Sequence, residues 1–143
     1  MGKGNTFSND LLKLTFNATA IANIADNAAG SPLTKLFVAL HTANPGASGT
    51  QATSEAAYTS YARVAVARTT GGWTAASAQS TSPVAAITFP AATGGSETET
   101  YGSVGVAASA ATKLLYSGTI TPNIVVSNGV TPQLTTSSTI TEA

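Results

Sequence analysis

The chain has 143 residues, a formal net charge of zero and only 8% charged side chains, against about 25% in an ordinary soluble domain. With no cysteine and one histidine, it can carry neither a disulfide framework nor a Cys- or His-pair zinc site. Six scattered basic residues leave no nucleic-acid footprint, and no apolar run approaches the roughly 18 residues that span a bilayer. Ser, Thr, Ala and Gly stand where Lys and Glu usually do, a neutral skin that loses water at little cost.

In chain order, the first residues form no unbroken apolar stretch, so no export signal is expected. Ser8-Asn9-Asp10 offers N-cap oxygens. Leu11, Leu14, Ala18, Ile21, Ala25 and Ala28 then recur every three or four residues, with Leu12 and Ile24 widening the stripe. This spacing predicts a helix over about 8–29, closed by Gly30 and Pro32. The Asn17-Ala18-Thr19 triplet falls inside that helix, which makes it a chance glycosylation match.

Strand signals follow. In 36–42, Leu36, Val38 and Leu40 alternate with Phe37, Ala39 and His41, so both faces are apolar, as in a covered strand. Asn44-Pro45-Gly46 is a turn, and 47–57 reads as a surface loop. Alternation resumes over 58–68, with Tyr61, Arg63 and Ala65 on one side and Val64, Val66 and Arg68 on the other; Gly71-Gly72 breaks it before Trp73. Further strands are expected over 85–89, 103–108, 114–120, 124–126 and near 134–140, with a tight hairpin at Asn128-Gly129. The pattern predicts a mainly β, single-domain antiparallel β-sandwich spanning 1–143, a jelly roll being the form that suits its size. One N-terminal helix precedes it, and an extended segment over about 133–143 follows.

No catalytic set emerges. His41 could join a Ser-His-Asp arrangement, but it lies in a strand, and no nucleophile-elbow glycines accompany any serine; a structural role is expected. Among the carboxylates Asp10, Asp26, Glu55, Glu97, Glu99 and Glu142, only Glu97 and Glu99 are spaced to share a strand face. Such a pair could do glycosidic chemistry or hold calcium, yet beside Gly94-Gly95-Ser96 it reads as a solvated loop. Gly71-Gly72-Trp73 matches no phosphate-binding fingerprint. The chain is read as not an enzyme, without cofactor or metal.

Three segments carry a resemblance: Leu36-Phe-Val-Ala-Leu-His-Thr-Ala-Asn-Pro-Gly46, Glu55-Ala-Ala-Tyr-Thr-Ser-Tyr-Ala-Arg-Val-Ala-Val66 and Gly71-Gly72-Trp73. Together with Ile87-Thr-Phe-Pro90, Gly105-Val-Ala-Ala108 and Leu114-Leu-Tyr-Ser-Gly118, they are similar, in order, to a group of small tailed-bacteriophage virion proteins. Its members are often labelled tail-fibre-like, and at least one resembles the capsid cement protein of a short-tailed Bordetella phage. The chain departs from the commoner members over 119–143, rich in Thr, Pro and Val.

That resemblance implies a structural protein of the virion, located on the outer capsid surface. It would bind the major capsid protein and bridge neighbouring subunits, with self-association as a homodimer, a trimer being the alternative, and with no nucleic-acid or membrane partner. The N-terminal residues, the loop 43–57 and the segment after Pro132 would contact the shell. Trp73, Tyr58, Tyr61, Phe7, Leu134 and Ile140 are the expected interface side chains. Two other readings stand beside it: a tail or tail-fibre-associated module, and a carbohydrate-binding adhesin using Trp73, Tyr58, Tyr61 and Tyr101 as sugar platforms.

Overall fold

Why the helix stops early sets the frame for the first part of the chain. The structure, a computed structural model, describes residues 5–21 and 32–142. Helix α1 runs Asn5–Asn17 and so begins before the expected Ser8 cap; Ser8 is instead a buried residue of the helix. Ala18 turns left-handed, with φ 53°, and the Thr19 N–H donates to the Lys13 carbonyl at 3.1 Å. No glycine marks this stop, so the sequence pattern ran past it; the expected positions 22–29 lie outside the described residues. The buried face is Ser8, Leu12 and Phe16, one residue out of phase with the expected Leu11–Leu14 stripe.

Eight strands follow: β1 (Lys35–His41), β2 (Val64–Ala67), β3 (Ser80–Thr81), β4 (Ile87–Thr88), β5 (Glu97–Gly105), β6 (Leu114–Val126), β7 (Gln133–Leu134) and β8 (Ile140–Thr141). They form a four-stranded sheet in the order β2-β1-β5-β6 and two two-stranded ribbons, β3-β8 and β4-β7. The β1/β5, β5/β6 and β3/β8 pairings are antiparallel, so the fold is mainly β and antiparallel, as expected. A jelly roll is compatible with it.

The chain gathers into two compact units, each built from separated segments. The first takes Met1–Lys35, Val66–Ala86 and Leu134–Ala143; the second takes Leu36–Ala65 and Ile87–Gln133. In the first unit the core is Leu12 and Phe16 of α1 with Trp73. The Phe16 and Trp73 rings meet edge to face at 4.7 Å and 64°, the geometry aromatic quadrupoles favour. Arg68 closes the C-terminal end of α1: its Nε donates to the Thr15 carbonyl at 2.6 Å and a terminal nitrogen donates to the Leu14 carbonyl. A cation on the last carbonyls satisfies orphan acceptors and suits the helix dipole. Gly72 makes a close approach here, because a Cβ would sit 2.1 Å from the Ala67 carbonyl oxygen.

In the four-stranded sheet β1 is one of two inner strands, with β5 the other, and its Val38, Ala39, Leu40 and His41 are all buried, as its two apolar faces implied. Opposite it, β5 pairs Phe37 with Gly105 through His41 with Tyr101. The long β6 passes through Pro122, where two strands were expected. It can do so because it lies at the sheet's edge, where a missing N–H costs no ladder bond, and because the β5/β6 register shifts between Glu99 and Tyr101. At Asn128-Gly129 the turn chemistry is as expected: Gly129 has φ 89° and Val130 N–H donates to the Ser127 carbonyl at 3.0 Å. The hairpin is not formed, since β6 pairs with β5 and β7 with β4.

Candidate functional site

The polar residues that could do chemistry concentrate in the second unit, and they build three connected features. The first centres on Arg63, expected in a strand over 58–68 but placed just before β2. Its side chain is 1% exposed. Nε and Nη2 grip both Glu55 oxygens at 2.6 and 2.8 Å. Nη1 reaches Gln51 Oε1 at 3.2 Å, the Ala107 carbonyl at 3.0 Å and Thr112 Oγ1 at 3.2 Å, while Nη2 also donates to the Ala110 carbonyl at 2.8 Å. Six contacts share the five N–H donors of the guanidinium, so one Nη1 hydrogen is divided between two acceptors; a lysine, with three donors, would leave more of them unmet.

Gln51 continues the network. It is fully buried and donates from Nε2 to the Phe37 carbonyl at 2.6 Å, and Gly105 leaves it room: a Cβ there would lie 2.1 Å from Gln51 Oε1. The segment 47–57, expected as a surface loop, is therefore stapled to β1 and to 107–112 by buried polar side chains. Its small, polar sequence hid this, because the attachment rests on two side chains, Gln51 and Glu55, and on backbone bonds such as Ala56 N–H to the Leu40 carbonyl at 2.9 Å.

The second feature is His41. Its ring, 0% exposed, places Nδ1 2.9 Å from the Thr53 carbonyl and Nε2 2.7 Å from Ser103 Oγ. A carbonyl only accepts, so Nδ1 carries the proton and Nε2 accepts from the serine hydroxyl. This is the hydrogen bond of a nucleophilic serine, but Ser103 is itself buried at 3% exposure and a backbone carbonyl stands where a catalytic acid would. Desolvation lowers the imidazole pKa below 6.5.

The third feature corrects the reading of Glu97 and Glu99 as a solvated loop. Gly95, at φ 86°, turns the chain directly into β5, and both glutamates belong to that strand. Glu97 Oε1 accepts the backbone N–H groups of Ala57 and Tyr58, each at 2.8 Å. Glu99 is 0% exposed, and neither of its oxygens has a donor among the described residues. Burial, then the neighbouring Glu97, pushes its pKa up to about 8.

Of the expected interface side chains, the structure buries the aromatic anchors. Trp73 is 1% exposed and Tyr58 3%; the Tyr58 hydroxyl donates to the Pro90 carbonyl at 2.9 Å, and Tyr58 meets Tyr61 edge to face at 5.3 Å. Tyr61 is half-buried, donates to Glu55 Oε1 at 3.0 Å and accepts from Leu40 N–H at 3.1 Å. Neither Trp73 nor Tyr58 offers a face for a partner or a sugar ring, because large apolar surface is stabilised most by its own core. Phe7 is exposed at 37%, and Leu134 and Ile140 are half-buried. The segment 133–143, expected to be extended, carries β7 and β8, and β8 pairs Ile140 with Thr81. The sequence pattern did not single out Leu33, Val84 and Val125, which are exposed at 45%, 47% and 67%.

Among the described residues no group of three or more His, Cys, Asp or Glu side chains is placed to hold a metal, and no helix is long and apolar enough to cross a membrane. What these features do is fasten loops to strands inside a β-framework that is poor in charge. The chain belongs to a podophage structural family: a family model described as Podophage GP4 fiber I protein gp80 matches residues 3–141. It is thus a structural protein of the phage virion. No curated protein matches the chain.

Proposed function

We propose that this protein is a component of the fibre or tail apparatus of a short-tailed phage, a role of holding and presenting rather than of chemistry. The observation that carries the reading is the match over nearly the whole chain to a family named for a podophage fibre protein. The framework agrees with it. From Leu114 to Thr141 no residue is charged, and β6 lies at the sheet's edge with Val125 67% exposed. Charges are the usual guard of an edge strand, and neutral surface is what subunits bury at low cost. On this reading copies associate with one another in a closed oligomer, and no cofactor takes part. The buried serine–histidine pair supports the non-enzymatic reading, since a substrate would have to displace core residues to reach it. Antibody against the purified chain, applied to intact particles in negative-stain electron microscopy, tests the location: label at the tail end supports the proposal.

The second reading is a capsid cement protein that binds the outer shell and bridges major capsid protein subunits as a homodimer. Its support is the ordered motif resemblance from Leu36 to Gly118 together with the same neutral skin. Label distributed over the head would favour it and overturn the first reading.

A further inference from the structure

The polar group that the fold leaves least explained is the Glu99 carboxyl. Every other feature of the second unit pairs donors with acceptors, whereas Glu99 is 0% exposed and neither oxygen has a donor. An isolated buried carboxylate is among the costliest groups a protein can hold. Two residues away on the same face of β5 stands Glu97, whose Oε1 is occupied by the Ala57 and Tyr58 amides. Glu97 is half-buried, and a charge on the fully buried Glu99 beside it would meet repulsion that little water screens. As an acid, Glu99 gains the hydroxyl proton it needs to donate to its neighbour, and the orphaned pair becomes a satisfied one.

We propose that Glu99 is held as the neutral acid at neutral pH and donates its proton in a hydrogen bond to Glu97, forming a clasp that pins β5 to the Ala57–Tyr58 backbone, a clasp that mildly alkaline solution opens. The ionisable groups around it are few. Glu97 comes from β5 itself and Tyr58 from the 56–61 segment. On the β6 side the register opposes Glu99 with Ile124 and Glu97 with Val126, neither of which titrates. Beyond His41, which lies opposite Tyr101, β1 has ended, and there Thr100 Oγ1 donates to the Thr42 carbonyl at 2.9 Å. Tyr58 feels both glutamates, and with burial they hold its phenol up at about 12, so it stays neutral through the range in question.

A divalent cation is the other occupant that two facing carboxyls could take. The two amides aimed at Glu97 Oε1 oppose it, since they present positive hydrogens to the place a cation would fill. Metal sites of the calcium type also need about six to eight oxygens, and only two carboxylates converge here.

The sign follows from proton counting. A carboxyl held near 8 in the folded chain keeps its proton while the unfolded chain, at an ordinary value near 4.5, has lost it. The folded state is therefore favoured most below about pH 4.5. The advantage declines as pH rises, by up to about tenfold in the folding constant per pH unit, and levels off above about 8.

Carbon-13 NMR of the Glu side-chain carboxyls in the full chain, titrated from pH 5 to 10, tests this directly. Glu99 is expected to titrate near 8, with the Ala57 and Tyr58 amide signals shifting at the same midpoint; a Glu99 midpoint below pH 6 overturns the proposal. Glu99→Gln keeps a neutral donor beside Glu97, so its stability is expected to lack the decline between pH 5 and 8 that the unaltered chain shows; an unchanged decline overturns it. Should Glu99→Gln not fold, the NMR titration still decides. Millimolar calcium is expected to leave the melting temperature unmoved; a rise reversed by chelation would mean that a cation, not a proton, occupies the site, and the proposal would fail.

Discussion

Arg63 and Glu55 meet as a fork on a fork, Nε to Oε1 at 2.6 Å and Nη2 to Oε2 at 2.8 Å, and this contact ties the 47–57 segment to the start of β2. The remaining guanidinium donors are spent on Gln51 and on 107–112, so one side chain fastens three stretches of the second unit. Arg63→Met leaves Glu55 Oε2 and the buried Gln51 Oε1 without this donor, with the Tyr61 hydroxyl still on Glu55 Oε1. Removing one member of a buried pair costs about 3–5 kcal/mol. Urea unfolding is expected to show a loss of that order, and Arg63→Lys to recover only part of it, because an ammonium cannot match the fork.

Gly105→Ala tests the fit around Gln51. The new methyl would overlap Gln51 Oε1, 2.1 Å away, and overpacking of this kind costs about 1–3 kcal/mol. Combined with Gln51→Ala, the clash disappears, so the double variant should be less destabilised than the two single losses added together. Strict additivity in denaturant melts would mean that the two residues do not touch.

For His41, lowered by burial, the folded chain takes up its proton at a lower pH than the unfolded chain does. Stability from this residue is present above about pH 6.5 and is lost as pH falls through the folded value. The imidazole carbon resonances should titrate below 6.5. Ser103→Ala strands Nε2 without a donor and should cost about 1–3 kcal/mol, measured at pH 7.5, where His41 is neutral in both states.

Trp73 is the single tryptophan, so its fluorescence reports on the first unit alone. Its emission should be blue-shifted and poorly quenched by iodide. Phe16→Ala removes the edge-to-face partner and should cost about 3–5 kcal/mol with a red shift, whereas Phe7→Ala, on the exposed side of α1, should change stability by less than about 0.5 kcal/mol. Glycan binding lost on Trp73→Ala without loss of folding would contradict the buried placement.

Much of this fold was legible in the sequence. Strand β1 announced itself by two apolar faces, the Asn44-Pro45-Gly46 turn by its chemistry, confirmed by Gly46 at φ 72° and its N–H on Asn44 Oδ1 at 2.9 Å, and the mainly β class by turn spacing. What stayed hidden was long-range. Helix α1 ends at Asn17 because Ala18 turns left-handed, which no propensity marks. Gln51 and Glu99 are polar residues in polar surroundings of sequence, and their burial comes from contacts distant along the chain, such as Gln51 with Phe37 and Thr112. Trp73 and Tyr58 were expected at an interface; the rings they meet edge to face, Phe16 for one and Tyr61 for the other, lie 57 and three positions away. Pattern reveals periodicity, and tertiary closure decides burial.

Copy number in the particle separates a fibre or tail component from a shell protein. Quantitative mass spectrometry of purified virions, scaled to the major capsid protein, should find this chain in a small multiple of the tail's symmetry. A stoichiometry near that of the shell protein itself, or absence from mature particles, would contradict the fibre or tail role.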